Sequence, residues 1–508
     1  MKPEDRTTIL IAGGRDLSEH SGLFDLKGLR LEPFDLDGLT EASAPERFAS
    51  AKAVMVAEAP GKFGALSDVF SRVAPWAVAE GVALVYLPNV PSDLRRAEQM
   101  EAESQFLKTR ENGPRWVYLD QDIQKLAEMM GRHQPGPGTG NAEIGPIRDN
   151  FKLPDSHKRL MLRAFWDASD IRVQKLPGGA SSSGAYLVYA SLPTAYGQHE
   201  PTPFVFKVDQ PHKFSEERNS YRDFVQPFVP FHLRPSLIET RSIETPELAA
   251  LTCNFVEGAM PLESALSNGH GAGAIFSLFE TTLRRFRHQA HSDHGSNVVS
   301  DYIDERVKIE QLYQDEEKRP RIDMAMQQYK FKGEPRELQE ELVRASNGIK
   351  SSSVVIHGDL HVGNVMVRDK DAIVIDFGSM RPKGPLTADP ASLEASIAFG
   401  TRKDEAPNDQ KEWFRFIDEI YQNPLELPIP TADHLPFAWV NRAIREVRHV
   451  AKCCEVSRDE ALLVLAASLL RYARFSKPSF DDRHLLDISE ERKAYALVKA
   501  QQVFEQVK

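Results

Sequence analysis

The sequence predicts a mixed α and β protein in three parts. These are a small doubly wound α/β domain over residues 1–130, a strand-rich region over 151–258 and a helical region over 259–508. Three observations predict this. Apolar strand-like runs alternate with helical patterns through the first part, the βα rhythm of a parallel sheet covered by helices. Residues 131–150 are then rich in Gly and Pro with no periodic apolar face, as a linker is. Beyond them strand-like segments persist to about Val256, and long amphipathic patterns dominate to Lys508. A chain of 508 residues also exceeds what one hydrophobic core serves.

In the first domain the strand candidates are Thr8 to Ala12, Ala53 to Val56, Val82 to Leu87 and Trp116 to Leu119. The helix candidates are Leu66 to Glu80 and Ile123 to Met130, the latter preceded by Asp122 at an N-cap position. A net charge of −11 argues against a general attraction to nucleic acid or anionic membrane. The longest apolar run, Ala461 to Leu470, falls short of the ~20 residues a spanning helix needs, and MKPEDRTT holds no signal-peptide core. The expectation is a soluble, cytoplasmic protein. Three cysteines, Cys253, Cys453 and Cys454, read as reduced thiols.

The chemistry is concentrated in two motifs. Val354 to Met366 reads VVIHGDLHVGNVM, which sets Asp359 and Asn364 five residues apart in a loop after an apolar strand. Ala372 to Gly378 reads AIVIDFG and puts Asp376 at the end of another. Phosphoryl transfer needs a carboxylate to orient or deprotonate the acceptor and oxygen ligands for Mg²⁺. Asp359 suits the first role, Asn364 and Asp376 the second. Asp, Asn and Gly also favour turns, so either motif alone could be a plain hairpin. Both together, separated by one short hairpin, are far more specific.

These residues resemble the catalytic loop and metal-binding triplet of the protein-kinase-like superfamily. The likeness is strongest to its aminoglycoside and choline phosphotransferase branch, where HGDLHxGN and IDF or IDFG recur. The resemblance implies a bilobal α+β fold, with an N-lobe over 151–258, a C-lobe over 259–508 carrying an insertion at about 292–350, and ATP with Mg²⁺ as cofactors. It makes His357 a loop brace through a backbone hydrogen bond. His361 falls where many protein kinases carry a lysine near the transferring phosphate; it either donates a hydrogen bond there or packs the loop. Gly358 departs from protein kinases switched by activation-loop phosphorylation, which usually have an arginine at that position to pair with the added phosphate. The sequence shows no such partner. Asp389, in PLTADPASLEASIAF, matches an aspartate that follows the metal site in small-molecule phosphotransferases and is expected to be a structural brace.

For the nucleotide, Leu176 to Tyr189 offers Gly178, Gly179 and Gly184 in a Gly and Ser turn. It lacks the strict G-x-G-x-x-G spacing, and a hairpin turn remains the alternative to a phosphate cover. Lys207 in FVFKV falls where the phosphate-holding lysine would, Glu217 resembles its helix partner with Glu216 as the substitute, and Asn254, Phe255, Val256 and Glu257 take the place of the adenine-binding hinge. In the charged insertion, Glu305, Glu310, Asp315, Glu316 and Glu317 either attract a cationic acceptor or solvate a helix face. His288, His291 and His294 are a helix-end cluster or, less in keeping with their setting, metal ligands.

The first domain resembles a receiver or flavodoxin-type domain. Glu58 stands where a phosphoacceptor aspartate would be, and IAGGR carries no nucleotide fingerprint, so the domain reads as a recognition or regulatory module for a protein partner. A receiver-like N-terminus fused to such a phosphotransferase resembles bacterial proteins of ternary-complex-associated systems. Three functions follow as expectations: an ATP- and Mg²⁺-dependent phosphotransferase acting on a small-molecule hydroxyl, a kinase or nucleotidyltransferase that modifies a protein, and a nucleotide-binding pseudokinase scaffold.

Overall fold

The computed structural model describes residues 8–12, 16–35, 47–48, 51–57, 73, 77, 82–87, 117–119, 123–132, 140, 142–147, 152–176, 184–194, 197–244, 248–271, 273–289, 291–293, 297–313, 319–349, 351–400, 409–430, 437–454, 456–473 and 490–507. They form two compact units, 1–215 with 237–255, and 216–236 with 256–508.

The first unit holds two sheets. Strands β1 (Thr8–Ala12), β2 (Arg30–Pro33), β3 (Ala51–Ala57), β4 (Ala83–Leu87) and β5 (Val117–Leu119) form a parallel sheet in the order β2-β1-β3-β4-β5. Helices α1 (Ser21–Asp25) and α2 (Ile123–Arg132) accompany it. Side chains alternate along each strand, so both faces are apolar: Ile9, Met55 and Val85 join a core with Phe24, Leu126 and Met130, while Leu10, Val54, Val56 and Leu84 join one with Phe48, Val73 and Ala77. Strand β2 went unread in the sequence because RLEP has only one apolar residue facing a core; most of the Leu66 to Glu80 helix candidate lies outside the described residues.

The second sheet comprises β6 (Glu143–Pro146), β7 (Asp170–Lys175), β8 (Gly184–Pro193), β9 (His199–Asp209), β10 (Ile243–Glu244) and β11 (Ala249–Asn254), in the order β10-β11-β9-β8-β7-β6. Helix α3 (Asp155–Ala164) lays Leu160, Met161 and Ala164 against Val173, Val188 and Phe206. Strand β6 falls inside the segment expected to be a linker. Flanking Gly and Pro conceal a four-residue edge strand whose partner, β7, lies past a whole helix.

The second unit is mainly helical, as the amphipathic patterns predict. It includes the end of α4 (Pro211–Ser220), then α5 (Leu262–Ser267), α6 (Val298–Val307), α7 (Arg319–Gln328), α8 (Pro335–Ser346), α9 (Ala388–Phe399), α10 (Asp409–Gln422), α11 (Ala438–Lys452), α12 (Arg458–Ala473) and α13 (Glu490–Phe504). Two three-stranded sheets are set among them: β12 (Met260–Pro261) with β15 (Val365–Arg368) and β16 (Asp371–Val374), and β13 (His291–Asp293) with β14 (Ser351–Ile356) and β17 (Arg381–Pro385). Helix α12 is apolar on nearly every side, with Leu462 through Leu470 buried, which identifies it as an internal helix. Among the described residues no helix is long and apolar enough to cross a membrane.

Candidate active site

Strand β14 drives Val354 and Ile356 into the core and releases the chain at His357, where the polar loop begins. The loop is held from beneath by Asp389 in the first turn of α9: Oδ2 accepts from the His357 N–H at 2.8 Å and Oδ1 from the Gly358 N–H at 3.1 Å. Burial pushes the Asp389 carboxyl up, opposed by His357 and by these two N–H groups. The His357 ring is fully buried; Asp359 N–H approaches Nδ1 at 3.4 Å and Nε2 lies 3.1 Å from the Ile375 carbonyl. With Nδ1 accepting and Nε2–H donating, this ring ties the loop to the strand that ends at Asp376.

Gly358 adopts φ +73°, and a Cβ there would overlap the Ser379 carbonyl oxygen. Both conditions favour glycine. From a distant helix, Arg306 on α6 donates through Nη2 to the Gly358 carbonyl. Sequence inspection missed it since 52 residues separate the two.

Asp359 is the first of the three polar residues. Its Oδ1 pairs with Nη2 of Arg471 at 2.5 Å, and Oδ2 is 4.0 Å from His361 Nε2. Burial alone would raise its pKa, but Arg471, then His361 and His357, outweigh burial and the nearby Asp376, and hold the carboxyl below the usual carboxylate range. Arg471 lies at the C-terminal end of apolar α12 and is almost wholly buried. An arginine ending a hydrophobic helix is the one signal that could have marked it. His361 Nδ1 accepts the Gly363 N–H at 3.1 Å, which puts a ring proton on Nε2, toward Asp359, and burial pushes its pKa down.

Asn364 is buried, and its Nδ2 donates to the Asp359 carbonyl at 2.9 Å. Fixing the amide nitrogen in this way makes the side-chain oxygen the atom that could take a metal. The Asn364 carbonyl also receives the Ile375 N–H at 3.0 Å, so the β15–β16 hairpin registers Asn364 directly against the Asp376 strand. Asp376 itself takes φ +63°, ψ 78°, a left-handed conformation costing about 1 kcal/mol or more for a residue with a Cβ. Phe377 anchors the strained turn, buried with its ring 6.1 Å from that of His357 and 5.9 Å from that of Tyr221. Glu217 is buried nearby: its Oε2 lies 4.0 Å and Asp376 Oδ1 3.9 Å from the point where a Gly378 Cβ would stand.

The second unit thus brings together Asp359, His361, Asn364, Asp376 and Glu217. Lys207 is in the first unit, half-buried on β9 in register with Ala185 and Leu251. Gly184 opens β8 with its absent Cβ facing the Tyr186 ring, so it is a strand residue under a tyrosine; Gly178 and Gly179 lie outside the described residues. Asn254 ends β11, the Phe255 N–H reaches the Pro203 carbonyl, and Val256 and Glu257 begin the return to the second unit. In the insertion Glu305 and Glu310 are exposed, and Asp315, Glu316 and Glu317 are not among the described residues. His288 accepts from Arg284, and no group of three His, Cys, Asp or Glu residues among those described could hold a metal in the sense required of a multi-ligand cluster.

No curated protein matches the chain. Among solved structures it is similar to aminoglycoside phosphotransferase APH(4)-Ia, at 15% identity and TM-score 0.40 over 69% of this chain and 98% of that one. A mutant of the same protein, in ternary complex with AMP-PNP and hygromycin B, gives 12% and 0.39 over the same shares. Glucosamine kinase in complex with glucosamine, ADP and inorganic phosphate gives 13% and 0.28 over 66% and 94%. Residues 331–474, from before α8 to just past the end of α12 and so including the whole loop from His357 to Asn364, match the family model described as Ternary complex associated domain 9.

Proposed function

We propose that the chain transfers the γ-phosphoryl group of ATP to a hydroxyl of a small-molecule acceptor in a Mg²⁺-dependent reaction. The observation that carries this reading is the Asp359, Asn364 and Asp376 constellation. A carboxylate is held below the usual carboxylate range by Arg471, an amide is fixed through its nitrogen, and a second carboxylate is held in a strained turn against the strand that pairs with Asn364. Such preorganisation is what phosphoryl transfer asks of a protein. Asn364 and Asp376 would hold Mg²⁺, which when bound neutralises charge on the phosphate oxygens. Asp359 orients the acceptor hydroxyl and takes its proton, and His361 offers Nε2–H beside it.

Lys207 and Glu217 are the proposed phosphate-holding pair, with Gly178 and Gly179 as cover and residues 254–257 as the adenine-binding segment. The first domain serves as a receiver-like recognition module. The family match to a ternary-complex-associated model favours a second reading, in which the acceptor is a protein within an assembly.

Labelled γ-phosphate release and transfer, measured with Asp359→Asn and Asp376→Asn variants, tests the proposal. Each is expected to lose turnover by about 10³-fold or more while melting near the parent temperature. Turnover retained by Asp359→Asn would reject it.

A further inference from the structure

The turn Val362–Asn364, which follows His361, is a short 3₁₀ segment, and the N–H groups that open such a segment have no partner within it. Two of the three are met by His361 itself: Nδ1 accepts the Gly363 N–H at 3.1 Å and the carbonyl accepts the Asn364 N–H at 2.9 Å. The third, on Val362, reaches outside the turn. It donates at 3.2 Å to Oγ of Ser396, a buried residue two turns along α9 from Asp389.

A serine inside a helix commonly donates to a carbonyl one turn back and does nothing more. Ser396 does donate to the Leu393 carbonyl, at 2.8 Å; this commits its proton, so a lone pair faces the Val362 N–H. Seven residues separate Asp389 from Ser396, which sets both on one face of α9. Asp389 takes the His357 and Gly358 N–H groups, so this face holds the loop on both sides of Asp359. The Ser396 side bears on groups that meet Asp359: His361 Nε2 lies 4.0 Å from its carboxylate, and the Asn364 amide donates to its carbonyl.

We infer that Ser396 is a positioning residue. Acting through the Val362 N–H, it sets the turn that aims His361 Nε2 at Asp359 and keeps the Asn364 amide in place. This rests on the phosphotransferase reading and adds to it a residue assigned to neither substrate nor metal. Without the hydroxyl the Val362 N–H loses its acceptor, and the turn can shift about its remaining anchor, the Asn364 carbonyl bonded to the Ile375 N–H. A misplacement of about 1 Å at a phosphoryl-transfer site costs about 10²-fold in rate.

The test compares Ser396→Ala with Ser468→Ala in the full chain. Ser468 is also buried, but its hydroxyl donates to the Val464 carbonyl of its own helix at 2.9 Å. Two quantities are measured: release of labelled phosphate from Mg–ATP, and deuterium uptake by peptides covering residues 357–364. Ser396→Ala is expected to lower kcat about tenfold or more, with KM for Mg–ATP within about twofold. Its loop peptides should exchange about fivefold faster or more, while peptides of α12 keep the parent rate. Ser468→Ala should leave turnover and loop exchange at the parent values. Undiminished kcat in Ser396→Ala, a change confined to KM, unchanged loop exchange, or an equal loss in Ser468→Ala would overturn the inference. Should the parent release no phosphate, the phosphotransferase reading falls, and the exchange comparison by itself decides whether Ser396 holds the loop.

Discussion

Arg471 governs the state of the candidate base, since one guanidinium fixes an oxygen of Asp359 and keeps it ionised. Arg471→Met leaves that carboxylate largely enclosed without its main partner, an expected loss of about 2–4 kcal/mol after discounting for partial exposure. Chemical denaturation measures the loss, and turnover should fall with it; Arg471→Lys should restore part of both. Glu460 of α12 is a buried carboxyl of a different kind. Burial raises it from 4.5 to about 7 against the pull of the Ser352 N–H. Because the folded value lies above the unfolded one, the native state holds the proton more tightly. The stability this group contributes is therefore fully present below pH 4.5 and is lost as pH rises through 7. Glu460→Gln should melt higher than the parent at pH 8, by up to about 3 kcal/mol, and show little difference at pH 4. No gain at pH 8 would mean that the carboxyl stays charged at no cost.

Among elements, α9 links the loop to the helical core. Its first turn supplies Asp389 to the loop, and further along Glu394 forms an ion pair with Arg448 of α11 at 2.7 Å, both side chains nearly inaccessible. Arg448 also donates to the Ile420, Asn423 and Glu426 carbonyls, so one guanidinium closes α10 and the turn after it. Glu394→Gln leaves that charge buried with carbonyl partners alone and should cost about 3–5 kcal/mol, read as a lower denaturation midpoint with an unchanged slope. Hairpin β15–β16 and strand β14 were readable as apolar runs bounded by turn residues. Edge strands β2 and β6 were not, because residues with little burial carry little hydrophobic pattern.

For the whole molecule, a ligand that binds only the folded state must raise its stability. Mg–ATP at 100 times its dissociation constant should add about 2.7 kcal/mol, and the Asp376→Asn variant should lose most of the Mg²⁺-dependent part of the melting shift. A shift equal with and without Mg²⁺ would contradict the assignment of Asn364 and Asp376. The sequence by itself determined the order of strand-rich and helix-rich parts, because periodicity records which side chains are buried. It also marked Asp359, Asn364 and Asp376, which lie within 18 residues of one another on two local motifs. Only the tertiary structure decided that Arg306 stands over Gly358 and that Arg471, 112 residues beyond Asp359, reaches back to it. Local pattern encodes exposure and turn chemistry, whereas the charge around a site is set by which distant helices deliver their ends to it.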